Sequence, residues 1–175
     1  LKVLELFAGT RSIGKAFESR GHKVYSVEWC KDFENINLYC DIGKLTAKEI
    51  LDEFGTPDII WASPDCTTYS IAAISPKYYF IENPRGGLRK MDFMQGIPRY
   101  TVTYCQYGDI RQKPTDIFTN HPSPNFKPPC KRGAACHISA PRGPRTGTQG
   151  LKGSVERSRI PEELCNHIVD ICEVI

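Results

Sequence analysis

Residues 1–28 read LKVLELFAGTRSIGKAFESRGHKVYSVE, and the hydrophobic rhythm changes twice within them. Leu1 to Phe7 is a short apolar strand, closed by the turn Ala8-Gly9-Thr10. From Ser12 to Arg20 the apolar residues Ile13, Ala16 and Phe17 fall at helical spacing, and Gly21 stops the helix. His22 to Val27 is a second strand, ending at Glu28. Strand, helix and strand in so short a span predict an α/β domain around a mostly parallel sheet.

The pattern continues outward. Thr46 to Phe54 predicts a helix, with Thr46 as N-cap and Gly55 as terminator. Asp58 to Ala62 and Tyr78 to Ile81 are continuous apolar strands, the latter ending at Glu82. In open α/β sheets ligands collect beyond the carboxyl ends of the strands. The polar residues at those ends are Gly9, Glu28, Asp41, Asp65-Cys66 and Glu82-Asn83, which such a fold brings to one rim. Further on, Leu88 to Met94 reads as a short helical run. Arg99 to Tyr104 predicts a strand that pairs with Asp116-Ile117-Phe118 as a hairpin across the Gly108 region. Pro161 to Ile175 predicts a closing helix, with Pro161 at its first position.

One connection is too short. A parallel crossover needs at least ~10–12 residues, usually a helix. Fifteen residues separate Ala62 from Tyr78, and the first eight already loop around Cys66. The expectation is that Ser75 and Pro76 are not true neighbours and that a segment is missing between them.

The 175 residues, 40% hydrophobic and without a long apolar run, exclude a membrane span and a wholly disordered chain. The opening residues read as a strand, not a leader. The eight cysteines are scattered through strand- and helix-like segments, which predicts reduced thiols in an intracellular protein. The net charge of +3 hides a concentration: residues 111–160 hold 10 basic side chains against 2 acidic. Such a block attracts a polyanion.

Three motifs occur in a telling order: Leu6-Phe7-Ala8-Gly9, Pro64-Asp65-Cys66-Thr67-Thr68-Tyr69-Ser70 and Glu82-Asn83-Pro84. They resemble the F-x-G, P-P-C-Q-x-F-S and E-N-V motifs of cytosine-C5 DNA methyltransferases. Tyr107-Gly108-Asp109-Ile110-Arg111-Gln112-Lys113 is similar to a divergent form of that family's F-G-x-P-Q-x-R-x-R motif. The likeness is greatest to compact, phage-type members and covers residues 1–118 well and the last helix weakly. It implies a Rossmann-like methyltransferase fold built from residues 1–118 and 155–175, with helices on both faces and a C-terminal antiparallel hairpin. Residues 119–154 then form a basic, Pro/Gly-rich insert for DNA recognition.

The residues make chemical sense for that reaction. Carbon 5 of cytosine is a poor nucleophile; a thiolate added to C6 makes it enamine-like. Cys66 is the candidate nucleophile. Glu82, on the N3/N4 edge of the base, is the candidate second catalytic group, holding a proton there, with Asn83 fixing its loop. Arg111 or Lys113 would contact the O2 side of the base or a phosphate, and the displaced Gln112 leaves both open. For S-adenosylmethionine, the resemblance assigns Phe7, Ala8, Gly9, Thr10, Ser12 and Pro64 to the floor, Glu28 to the ribose hydroxyls, Trp29 to the adenine face, and Asp41 with Ile42 to its edge. The family commonly has two glycines where this chain has Arg11-Ser12.

The expected partner is duplex DNA, bound by a monomer through Lys127, Lys131, Arg132, Arg142, Arg145 and Lys152, with the target base flipped out. His121, Cys130, Cys136 and His137 form a weaker candidate zinc set, H-x8-C-x5-C-H. Cys30, Cys40, Cys105, Cys165 and Cys172 read as small core residues. The competing readings are the same chemistry on tRNA or a modified pyrimidine, a catalytically dead nucleic-acid-binding relative, and a cysteine hydrolase, which lacks a histidine placed beside Cys66.

Overall fold

The computed structural model describes residues 1–64, 74–138 and 153–174. Cys66 therefore lies outside the described residues, as do Arg142, Arg145 and Lys152. The strands are β1 (Lys2–Leu6), β2 (Lys23–Glu28), β3 (Leu38–Tyr39), β4 (Ile59–Ala62), β5 (Tyr78–Pro84), β6 (Arg99–Thr103) and β7 (Pro114–Thr119). The helices are α1 (Ser12–Ser19), α2 (Ala47–Phe54), α3 (Ser154–Ser158) and α4 (Glu162–Glu173). The sheet runs in the order β3-β2-β1-β4-β5-β7-β6. β1 to β5 pair in parallel, whereas β7 is antiparallel to both β5 and β6. The Rossmann-like α/β fold and its antiparallel hairpin are as expected.

Alternation along the central strands feeds two cores. Val3, Ile59, Trp61 and Phe80 face α1 and α4, packing on Ile13, Phe17, Leu164, Ile168 and Val169. Leu4, Leu6, Ile60 and Ala62 face the other way, onto Ile50 and Phe54 of α2. Helix α2 begins as Thr46 requires: its side chain accepts from Glu49 N–H while the Glu49 carboxylate accepts from Thr46 N–H, and Gly55 closes the helix.

Three details differ from the sequence reading. β5 runs on through Glu82, Asn83 and Pro84, because β7 pairs along that length. Leu88 to Met94 forms two single 3-10 turns, not a helix, and its buried Leu88 and Met94 pack on Phe118. Pro161 is the N-cap of α4, one residue before its first turn. Among the described residues no helix is long and apolar enough to cross a membrane, and every described cysteine is a free thiol.

Beneath the turn after β1 lies a buried carboxyl group. Glu5 accepts from Gly14 N–H at 2.9 Å and from the Ser26 hydroxyl at 2.9 Å, while Arg11 Nε donates to Ser26 Oγ at 2.8 Å. A methyl group at Gly14 would collide with Glu5 Oε2. Burial, opposed by those donors and by Arg11, raises Glu5 from 4.5 to about 7. The folded protein thus holds that proton more tightly than the unfolded chain. Its stability should fall as pH rises from about 4.5 to about 7, by on the order of 3 kcal/mol. In Glu5→Gln that decline should disappear, which urea midpoints at about pH 5 and about pH 7.5 would show.

Candidate functional site

The chain order reverses between β1 and β4, and the crevice of such a sheet opens at that switch point. A cavity of about 490 Å³ lies there. Its walls come from the turn after β1, the end of β2, the end of β4, β5 and the hairpin. Of the residues named from sequence, Phe7, Ala8, Gly9, Thr10, Ser12, Glu28 and Pro64 all contribute to the lining, together with Glu82 and Lys113.

The turn is built from alternating left-handed residues, with φ 54° at Phe7, 50° at Gly9 and 57° at Arg11. Arginine at such a position costs about 1–2 kcal/mol. Its side chain offsets this, buried between Ser26 and the carboxylates of Glu5 and Glu18. The Arg11 guanidinium thus faces the scaffold. Ser12 remains on the cavity wall and bonds Thr10 and Ile160 N–H.

Glu28 brackets two loops. Its Oε2 accepts from Gly9 N–H at 2.9 Å, and its Oε1 from Trp29 and Cys30 N–H at 2.8 and 3.0 Å. A carboxylate has about four acceptor sites, so one remains for a ligand hydroxyl. Trp29, Asp41 and Ile42 do not line this cavity. Trp29 is 71% exposed, Asp41 accepts from Gly43 N–H to cap the turn Ile42–Lys44, and Ile42 is buried in the core over α2.

The opposite wall carries an acidic and a basic side chain, Glu82 and Lys113. Glu82 is buried in β5 and accepts at Oε1 from the Tyr104 hydroxyl at 3.1 Å. Burial, then the Glu82 charge, holds Tyr104 well above its ordinary range, so its proton stays on that bond. Lys113 Nζ lies 4.5 Å from the centre of the Tyr104 ring and donates to the Arg157 carbonyl at 3.2 Å. Burial lowers the Lys113 pKa. Arg111 does not reach this cavity: its guanidinium forks onto Asp109 and also meets the Glu156 and Arg159 carbonyls. Asn83 donates from Nδ2 to the Pro64 carbonyl at 2.7 Å, tying β5 to the strand end two residues before Cys66.

Tyr104, Phe33 and the α3 residues Arg157 and Ser158 also frame the site, and the sequence reading did not single them out. Tyr104 follows the strand Arg99–Thr103 and reads in sequence like any core aromatic. The signal that marks it, the carboxyl group opposite, exists only after β5, β7 and β6 pair. Of the basic residues, Lys127 is occupied by Glu163, by the Gln106 carbonyl and by the face of Tyr107, while Lys131 and Arg132 are exposed. Arg132 joins Arg85 and Arg89 along a second cavity of about 500 Å³ beside the hairpin.

No protein-family model matches the chain. The Frog virus 3 protein named "Probable DNA (cytosine-5)-methyltransferase" is 25% identical to it, over 98% of this chain and all of the viral one. That alignment spans 224 positions against 175 residues here, so the viral protein carries residues inside the matched span that this chain lacks. Among solved structures, an E. coli prophage protein described as a "putative DNA modification methyltransferase" superposes with a TM-score of 0.55 at 18% identity, covering 68% of this chain and 46% of its own. DNMT2 of Spodoptera frugiperda superposes at 0.53 and 16% identity, covering 73% and 52%. The chain thus spans about half the length of the solved structures it matches.

Replacing Tyr104 by Phe strips a donor from a buried carboxyl group. The expected cost is about 1.5–3 kcal/mol of unfolding free energy at neutral pH, read from urea denaturation.

Proposed function

We propose that this chain, a relative of the cytosine-C5 methyltransferases in sequence and fold, is an S-adenosylmethionine-dependent methyltransferase acting on cytosine in DNA. One observation carries the reading: the donor-side residues Phe7, Gly9, Glu28 and Pro64 share a single cavity with Glu82 and Lys113 of the acceptor side. The cavity volume lies in the range that encloses small cofactors. Two of its three carboxyl groups, Glu28 and Glu82, suit a cationic sulfonium, and the absence of a phosphate-binding glycine motif suits a nucleoside without phosphates. Bound there, S-adenosylmethionine supplies an electrophilic methyl carbon.

The chain's own residues do the rest. The free acceptor site of Glu28 takes a ribose hydroxyl, and the Gly9 turn lets the backbone approach closely. Cys66, as thiolate, adds to C6 of the flipped cytosine and makes C5 nucleophilic. Glu82 holds a proton at N3, its geometry fixed by Tyr104. Lys113 faces the O2 side, where negative charge grows as the thiolate adds. Lys131, Arg132 and Arg85 meet phosphates at the rim.

The short β4–β5 connection belongs to the same reading. Ser75 sits at φ 51°, although a following proline favours extended backbone. A longer form of the chain, with a crossover segment inserted after Ser75, is expected when the coding locus is sequenced; an uninterrupted Ser75-Pro76 codon pair would remove the idea.

Labelled-methyl transfer from S-adenosylmethionine, assayed on duplex DNA and tRNA side by side, tests the function. Cys66→Ala should lose transfer to DNA by about 10³-fold or more while DNA binding persists, and Lys113→Ala should lose about 10²-fold. Equal activity of Cys66→Ala would remove the thiol from the reaction, and transfer to tRNA alone would reassign the substrate.

A further inference from the structure

Outside that cavity, metal-ligating side chains converge from separate stretches of the chain. Cys105 comes from the 3-10 turn Tyr104–Tyr107 after β6, Cys130 from the end of the proline-rich run after β7, and Cys136 and His137 from the turn beyond it. One ligand atom of each lies within 4.8 Å of all the others. Cys105 Sγ is 3.1 Å from Cys130 Sγ and 3.6 Å from Cys136 Sγ, and His137 Nδ1 is 3.6 Å from both Cys130 and Cys136 Sγ. These separations are far beyond the ~2.05 Å of a disulfide. A tetrahedral zinc, with Zn–S of ~2.3 Å and Zn–N of ~2.0–2.1 Å, spaces its ligand atoms about 3.8 Å (sulfur to sulfur) and about 3.5 Å (sulfur to nitrogen) apart.

We propose that Cys105, Cys130, Cys136 and His137 form a structural zinc site of Cys3His type. Two amide donors already point at its sulfurs: Gln112 Nε2 at Cys130 Sγ, 3.3 Å, and Gln106 Nε2 at Cys136 Sγ, 3.4 Å. Such outer N–H groups stabilise thiolates and orient them toward a metal. The ligand loop is pinned at both ends, by Cys130 N–H on Thr103 Oγ1 at 2.9 Å and by Ile138 N–H on the Ile110 carbonyl at 2.9 Å. Adjacent Cys136 and His137 can serve one ion because the histidine offers its nearer nitrogen, Nδ1. Four protein ligands leave no open position, so the metal holds chain and does no chemistry.

This corrects the sequence set at one member, and the reading of Cys105 as a plain core residue; Cys30, exposed beside the cavity, is not a core residue either. His121 is 8% exposed, packs against Tyr78 and Phe80, and bonds the Ile171 carbonyl through Nε2 at 3.1 Å. Cys105 takes its place; it is buried, but among ligands. What the ion fastens is the basic segment. It clamps residues 130–138, which carry Lys131 and Arg132 and lead into residues 139–152, to the hairpin turn that bears Gln112 and Lys113.

The test does not depend on methyl transfer. Purified protein with all thiols reduced should hold one zinc per chain by mass spectrometry of metals. Replacement by cobalt should give thiolate-to-cobalt charge-transfer bands and tetrahedral d–d bands. Cys105→Ser should weaken zinc at least tenfold, whereas His121→Asn should leave it unchanged. The wild-type cobalt spectrum reports ligand type directly, so the outcome stands even if Cys105→Ser fails to fold. Wild-type protein that takes up neither metal, a cobalt spectrum without sulfur bands, or metal lost by His121→Asn but kept by Cys105→Ser would overturn the site.

Discussion

The Glu5 carboxyl group, taken out of water at the carboxyl end of β1, constrains everything built above it. A buried carboxyl is costly unless donors surround it. Here Gly14 N–H and the Ser26 hydroxyl donate to it from α1 and β2, and the Arg11 guanidinium of the connecting turn lies 3.9 Å away. Satisfying one group therefore fixes three elements at once. The same arrangement forces Arg11 inward and bends residues 7–11 through left-handed positions, which shapes the cavity floor. Gly14 is required because the carboxylate lies where a side chain would begin.

The far wall depends on a different constraint. β7 returns antiparallel beside β5, which extends β5 through Glu82 and Asn83. Because strand residues alternate in direction, this pairing sets Glu82 toward Tyr104 and the cavity while Asn83 reaches the Pro64 carbonyl. Partly exposed Arg89 pairs with the buried Asp116 of β7, locking the 3-10 turns Leu88–Lys90 and Asp92–Met94 over the hairpin. The tight turn at Gly108, φ 84°, then carries the chain back past Arg111, held by Asp109, to Lys113. A rim assembled from five strand ends gains its precision from such tethers.

Much of this was legible along the chain. Periodicity located the strands, α1, α2 and α4, since each buries one face against a sheet and must repeat its apolar residues accordingly. Capping chemistry marked the ends of α2. The cavity residues Gly9, Glu28 and Glu82 could be named because strand ends in such sheets share a rim, and Phe7 and Pro64 because their motifs resemble those of the cytosine-C5 methyltransferases. Tyr104 could not, nor could the choice between Arg111 and Lys113, since an arginine captured by its neighbour Asp109 and a lysine that reaches the cavity look alike in sequence. Trp29 reads as an adenine platform by residue type, yet it stands in the open.

The sequence by itself determined the order of elements, the two apolar faces of the sheet and the set of strand-end residues, because these follow from local periodicity and from the rules of parallel connection. Tertiary structure alone decided which side chains meet. Cys105 and Cys130 lie 25 residues apart and Glu82 and Tyr104 lie 22 apart, distances over which spacing says nothing. Long-range encounters are set by the pairing of β5, β7 and β6 and by burial against them, and no local pattern encodes that register.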